Sequence, residues 1–158
     1  MIKVRFILFT LTLVSISLSG CTFAPYSVVV TDSKNTRDFL RFEGIDFDQV
    51  WIPQKSYLEG VDSALKTYLE SNTTIKTETW VDREYVLSHL HQYNREYSGF
   101  VKSGTKYIVC NMILFANVCR KPPDNKFTII LDGGCGILRV VFEAKSKTVV
   151  HIDCNGMG

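Results

Sequence analysis

The sequence predicts an α+β domain with one main amphipathic helix, and a second short one, packed on a four- to five-stranded antiparallel meander sheet. Three observations carry that expectation. Residues 56–71 hold apolar side chains at helical spacing. The stretch from Gly99 onward alternates at strand spacing, and Gly, Asp and Ser clusters break the second half into short runs.

Residues 22–36 read as a polar tether with a short extended piece over Ser27–Thr31. Phe39 to Ile52 reads as a strand or extended lead-in, because Ile45, Phe47 and Trp51 share a parity with Asp46 and Asp48 between them. Pro53 stops it. The main helix, Ser56–Ser71, aligns Leu58, Val61, Leu65, Tyr68 and Leu69 on one face, with Glu59, Asp62 and Lys66 on the wet face. Ser56-x-x-Glu59 has the form of a capping box, and Asn72-Thr73-Thr74 ends the helix. Residues 82–93 predict the second helix through Val86, Leu87 and Leu90.

Five strands follow. Gly99–Val101 and Lys106–Leu114 flank the turn Lys102-Ser103-Gly104-Thr105, and Ile108, Cys110, Met112 and Leu114 share an apolar face. Residues 116–126 form a polar loop around Pro122-Pro123. Phe127–Leu131, Gly136–Phe142 and Thr148–Cys154 are the remaining strands, separated by Asp132-Gly133-Gly134 and by residues 143–147. In the last hairpin, Val140 is expected opposite Val150 and Leu138 opposite Ile152, so that Leu138, Val140, Phe142, Val150, Ile152 and Cys154 face inward. The order of helix first and strand meander after is cystatin-like in architecture, which by itself carries no function.

The N-terminus sets the address. Lys3 and Arg5 precede an uncharged apolar stretch, Phe6–Leu18, too short to span a bilayer, which needs about 20 apolar residues. It ends in Leu18-Ser19-Gly20-Cys21. That run resembles the lipobox of bacterial lipoproteins, which implies cleavage before Cys21 and diacylglyceryl and palmitate-type acylation on it. Thr22, where inner-membrane-retained relatives carry Asp, implies the outer membrane of a Gram-negative cell. The expected organisation is therefore a signal peptide over 1–20, a lipidated N-terminus and tether over 21–36, and a single domain over 37–158. Removing residues 1–20 takes away two of the 18 Lys+Arg and none of the 16 Asp+Glu, leaving a formally neutral chain. Such a chain gives no electrostatic reason to bind nucleic acid.

Export also places Cys110, Cys119, Cys135 and Cys154 in an oxidising compartment, where two disulfides are expected among three connectivities. Strand parity points Cys135 away from Cys154, so Cys119–Cys135 and Cys110–Cys154 are favoured, unless a bulge at Gly133-Gly134 resets the parity. No C-x₂-C spacing supports zinc.

The second half also resembles a family of uncharacterised bacterial secreted proteins and lipoproteins, on Tyr93-Asn94-Arg95-Glu96-Tyr97-Ser98-Gly99-Phe100, Lys106–Asn111, Leu131-Asp132-Gly133-Gly134-Cys135 and Asn155-Gly156. Gly136-Ile137 replaces that family's aromatic after the Gly-Gly-x-Cys segment. The likeness implies no particular activity.

Catalytic candidates are few. His89 and His91 diverge by about 200° on a helix and are poorly placed to share a metal. His151 and Asp153 alternate on the outward face of the last strand beside Arg139 and Val141, and Asp132 sits in a turn. There is no Gly-x-Ser-x-Gly, His-Glu-x-x-His or phosphate-binding glycine loop. Tyr93, Tyr97, Phe100 and Tyr107 suit core packing better than an aromatic binding surface. The expectation is a non-catalytic envelope lipoprotein without cofactor or metal. It is held to the membrane at Cys21 and binds a protein or another envelope component. The competing reading is a small periplasmic hydrolase using His151, Asp153 or Asp132.

Overall fold

The computed structural model describes residues 24–71, 81–114 and 125–156. The chain begins with strand β1 (Ser27–Val29), helix α1 (Ser33–Phe42) and strand β2 (Gln49–Trp51). A single turn α2 (Lys55–Leu58) precedes α3 (Val61–Ser71), and α4 (Arg83–His89) runs into a 3₁₀ turn at Leu90–Gln92. Strands β3 (Tyr93–Lys102), β4 (Thr105–Leu114), β5 (Gly134–Glu143) and β6 (Val149–Asn155) complete the described elements. Among the described residues no helix is long and apolar enough to cross a membrane.

The fold is α+β, but the six-stranded sheet is mixed rather than antiparallel throughout. Its order is β1-β3-β4-β5-β6, and β2 also pairs with β3. β1 runs parallel to β3, with Ser27 opposite Arg95, whereas β2 runs antiparallel, with Trp51 opposite Gly99. Two three-residue strands thus share one edge of a ten-residue strand, and α1 carries the chain between them. Residues 27–36 therefore belong to the sheet and to α1 rather than to a tether.

The β3–β4 hairpin closes as its sequence predicts. Lys102 pairs with Thr105, and Ser103 and Gly104 take the positive φ values (50° and 78°) that a two-residue turn requires. Alternation then sorts the side chains onto two faces. Tyr97, Ile108, Cys110, Met112, Leu138, Val140, Phe142 and Ile152 pack beneath Val61, Leu65 and Leu69 of α3 and Val86 of α4. On the opposite face Phe100, Val109 and Val141 pack against Phe39 and Leu40 of α1, and the Phe127 ring stacks on Phe39 at 4.0 Å.

Several expectations change. The long helix is broken at Glu59-Gly60, where Gly60 adopts φ +82°. The Ser56–Glu59 capping box does not form: Gln54 is the N-cap of α2, without a side-chain bond, and Glu59 is its C-cap. The lead-in from Phe39 is helical through Phe42, because Asp32 accepts from the amides of Lys34 and Asn35 and so caps α1, while Thr36, Phe39 and Leu40 form its buried stripe. Only Gln49–Trp51 remains as strand. β3 starts six residues before Gly99. Phe127–Leu131 enters no ladder. The expected helix stop at Asn72, the 116–126 loop up to residue 124, Cys21 and Cys119 lie outside the described residues.

The last hairpin is also shifted. Leu138 pairs with Cys154 and Val140 with Ile152, two residues from the expected register. A step between Val141 and Phe142 turns Val150 outward, 52% exposed, and Val149 packs on the core instead. At the other end β5 advances four positions, from Gly134 to Leu138, where β6 advances one. The Gly136 amide bonds back to the Gly133 carbonyl at 3.0 Å, and this turn brings Cys135 to within 4.6 Å (Cα–Cα) of Cys154. The two are disulfide-bonded, contrary to the parity expectation. Cys110 is not joined to Cys154; it is a free, buried thiol. β5 lies between their strands, and two strand spacings, about 9.6 Å, exceed the reach of a disulfide.

Candidate functional site

Three polar constellations and one open cleft stand out. The first is centred on Arg139 in β5, on the α1 side. One guanidinium nitrogen pairs with Glu43, the C-cap of α1; the other lies 3.0 Å from Asp153 Oδ2 and donates to Asn155 Oδ1 at 3.3 Å. The Arg139, Glu43 and Asp153 side chains are nearly buried. His151, half-exposed, brings Nε2 to 3.5 Å from Asp153 Oδ1. Its hydrogen bond to Asp153 holds the imidazole above its usual pKa, against the opposing effect of burial. The three residues expected of a hydrolase therefore divide. His151 and Asp153 meet, as their shared parity predicts. Asp132 lies beside Gly156, just past the end of β6 and about 17 Å along the chain direction from His151.

The second constellation surrounds Glu96, a fully buried carboxylate in β3. It accepts from the Asn111 amide nitrogen at 2.9 Å, the Thr128 backbone N–H at 2.7 Å, the Thr128 hydroxyl at 2.6 Å and the Tyr26 hydroxyl at 3.1 Å. Asn111 also donates to the Thr128 carbonyl at 2.9 Å. Two side chains thereby satisfy both backbone groups of Thr128, which is why residues 127–131 lie extended over this face without joining a ladder. Burial, then the charge of Glu96, pushes the Tyr26 hydroxyl up.

On the helix face Arg95 forms the third. Its Nε donates to Asp62 of α3 at 2.8 Å, and its guanidinium also reaches the carbonyls of Tyr93 and Leu90. This ties α3 and the start of the 3₁₀ turn to β3. Cys110 lies in the same layer, and burial pushes its thiol well up, so it is not poised as a nucleophile. Tyr93, Tyr97 and Phe100 are buried and Tyr107 stacks on Phe100, so these aromatics serve packing. His89 stacks on Tyr85 and bonds to the Tyr85 carbonyl and Ser88, while His91 contacts Gln92. Among the described residues no group of three His, Cys, Asp or Glu side chains could hold a metal ion.

The cleft, of about 620 Å³, opens where the two hairpin turns meet α2 and is lined by Ser56, Tyr57, Thr105, Lys106, Glu143 and Lys145, among others. Lys147 forms part of its wall and donates to the carbonyls of Ser56 and Glu59. Lys106 stands 4.8 Å from the Trp51 ring centre. Trp51 itself is fixed: its indole N–H donates to the Phe100 carbonyl at 3.1 Å and its ring meets Tyr57 edge-on. Gly99 makes that position available, since a Cβ there would fall 2.5 Å from Trp51 Cε2. Lys145 is exposed and forms no salt bridge among the described residues. Sequence reasoning missed this site because its lysines lie at the start of β4 and in the β5–β6 connection, about 40 residues apart, brought together only by the pairing of Tyr107 with Glu143. The one local signal was lysine repeating through both turns.

No family model matches the chain, and no curated protein or solved structure does so either.

Proposed function

We propose that the chain is a non-catalytic lipoprotein of the bacterial cell envelope, acylated at Cys21 and carried on the outer membrane of a Gram-negative cell, whose domain binds another envelope component. The carrying observation is that the candidate acid/base groups are committed to one another. Asp153 serves both Arg139 and His151, and Arg139 also spans to Glu43, so the cluster ties α1 to the hairpin and, among the described residues, offers no unshared carboxylate beside the imidazole. The position of the cleft supports the same reading. Tyr26 joins the fold at the start of β3, through the Asn94 side chain and the Arg95 amide. The cleft lies at the far end of β3, about 23 Å from Arg95. An anchor at Cys21 would join the domain at the end of β3 opposite the cleft.

Crosslinking the native lipoprotein in intact cells, with identification of the joined component, tests the binding role. A captured component together with inert purified protein is expected. Ester or amide turnover lost on His151→Gln would instead establish the hydrolase reading, which the His151–Asp153 contact favours. Anchoring is separate: Cys21→Ala should move the protein out of the detergent phase, and unchanged partitioning would overturn the lipidation.

A further inference from the structure

We infer that the cleft between the hairpin turns and α2 is a binding site for a phosphate-bearing saccharide. The inference rests on the binding-module reading and supplies its ligand class. At about 620 Å³ the cleft falls within the ~300–1,000 Å³ range of small-molecule sites. Its charge is one-sided: Lys106, Lys145 and Lys147 line it together with Glu143, the one carboxylate among its described lining residues, which accepts from Ser146. In a chain whose mature form is neutral, that local excess singles out an anion. Among the described residues the lining holds lysines and no arginine. Ammonium groups act as compact point charges that suit a phosphate from several directions, whereas a planar carboxylate is matched by the guanidinium fork.

The walls are pre-positioned. Lys147 is held by two backbone carbonyls, and Lys106 is held over an indole that Gly99 and the Phe100 carbonyl lock in place. Little side-chain order remains to be lost on binding at these two positions. Beside the charges, Ser56 and Thr105 offer hydroxyls, Glu143 an acceptor and Tyr57 an apolar ring edge. Together these match the hydroxyl-bearing ring of a sugar. A free sugar phosphate and the phosphorylated head of a glycolipid share this chemistry.

Titration calorimetry on the detergent-solubilised full-length protein tests the site. Glucose 6-phosphate should bind saturably, inorganic phosphate more weakly, and glucose not at all. Lys106→Ala and Lys145→Ala should each weaken glucose 6-phosphate binding about tenfold, the worth of one charge-assisted hydrogen bond, with the thermal midpoint unchanged in Lys145→Ala, whose side chain is exposed. Absence of saturable binding, or affinity unchanged in both variants, would overturn the site. The source is read by flotation of the Cys21→Ala protein with phosphatidylcholine vesicles carrying monophosphoryl lipid A, a phosphorylated glycolipid. Flotation reversed by glucose 6-phosphate identifies a membrane headgroup; solution binding without flotation identifies a soluble sugar phosphate. Phosphate release from glucose 6-phosphate would leave the site standing and overturn the non-catalytic reading alone.

Discussion

The two faces of the sheet are held by different physics. The face beneath α3 and α4 is a continuous apolar core, interrupted by one arginine whose hydrogen bonds are made to Asp62 and two backbone carbonyls. The face beneath α1 has a smaller apolar cluster. The rest of it is buried polar chemistry: Glu96 with Asn111 and Thr128, Thr36 with Ser98 at 3.0 Å, and Arg139 with Glu43 and Asp153. Dispersion and hydrophobic burial are non-directional, so the first face should respond to volume. Hydrogen bonds are directional and costly to leave unmade, so the second should respond to donor and acceptor identity.

Substitutions can separate these responses. The largest effect is expected at Leu65, fully buried under α3. Leu65→Ala should lower unfolding stability by about 2–5 kcal/mol, while the volume-conserving Leu65→Met should cost less than about 1.5 kcal/mol in the same urea titration. Next is the covalent tie between β5 and β6, closing a sequence separation of 19. Cys135→Ser with Cys154→Ser should lose about 2–4 kcal/mol, and an unchanged denaturation midpoint would contradict the pairing.

The sharpest contrast is Glu96→Gln, a nearly isosteric change on the polar face. Oε2 accepts from two N–H groups and Oε1 from two hydroxyls, so a glutamine that keeps its oxygen toward the N–H pair turns its Nε2 onto hydroxyls that must reverse from donor to acceptor, and every charge-assisted bond becomes a neutral one. A loss of about 1–3 kcal/mol is expected, against near-tolerance of the equally conservative Leu65→Met. Equal tolerance at both positions would erase the distinction between the faces.

The smallest effect is pH-dependent. The folded-state pKa of His151 is raised, so its bond to Asp153 stabilises the fold fully below the unfolded value of about 6.5. That contribution is lost as pH rises through the higher folded value. Thermal midpoints of wild type and His151→Gln should therefore differ most in acid and converge in base. A gap that widens with pH would assign the His151 shift to another cause.

Legibility in the sequence follows the same division. Val61, Leu65 and Leu69, and the alternation of Ile108, Cys110, Met112 and Leu114, were readable because apolar spacing reports directly on a buried face. The meeting of His151 and Asp153 beside Arg139 was readable from parity. Tyr93–Ser98 was not recognised as strand, because Asn94, Glu96 and Ser98 look solvated until Tyr26, Thr36, Asn111 and Thr128 are placed around them. Helix α1 carried a readable signal, Asp32 before Thr36, Phe39 and Leu40, that the aromatic alternation farther on obscured.

The sequence by itself determined the helix-side core, the β3–β4 turn and the parity of the Arg139 face, since each depends on periodicity or on the φ preferences of single residues. Only the tertiary structure decided the parallel pairing of β1, the Cys135–Cys154 bond and the lysine cleft. Each arises where segments far apart in the chain meet, and a single turn at Gly133–Gly136 is enough to reverse what local parity predicts.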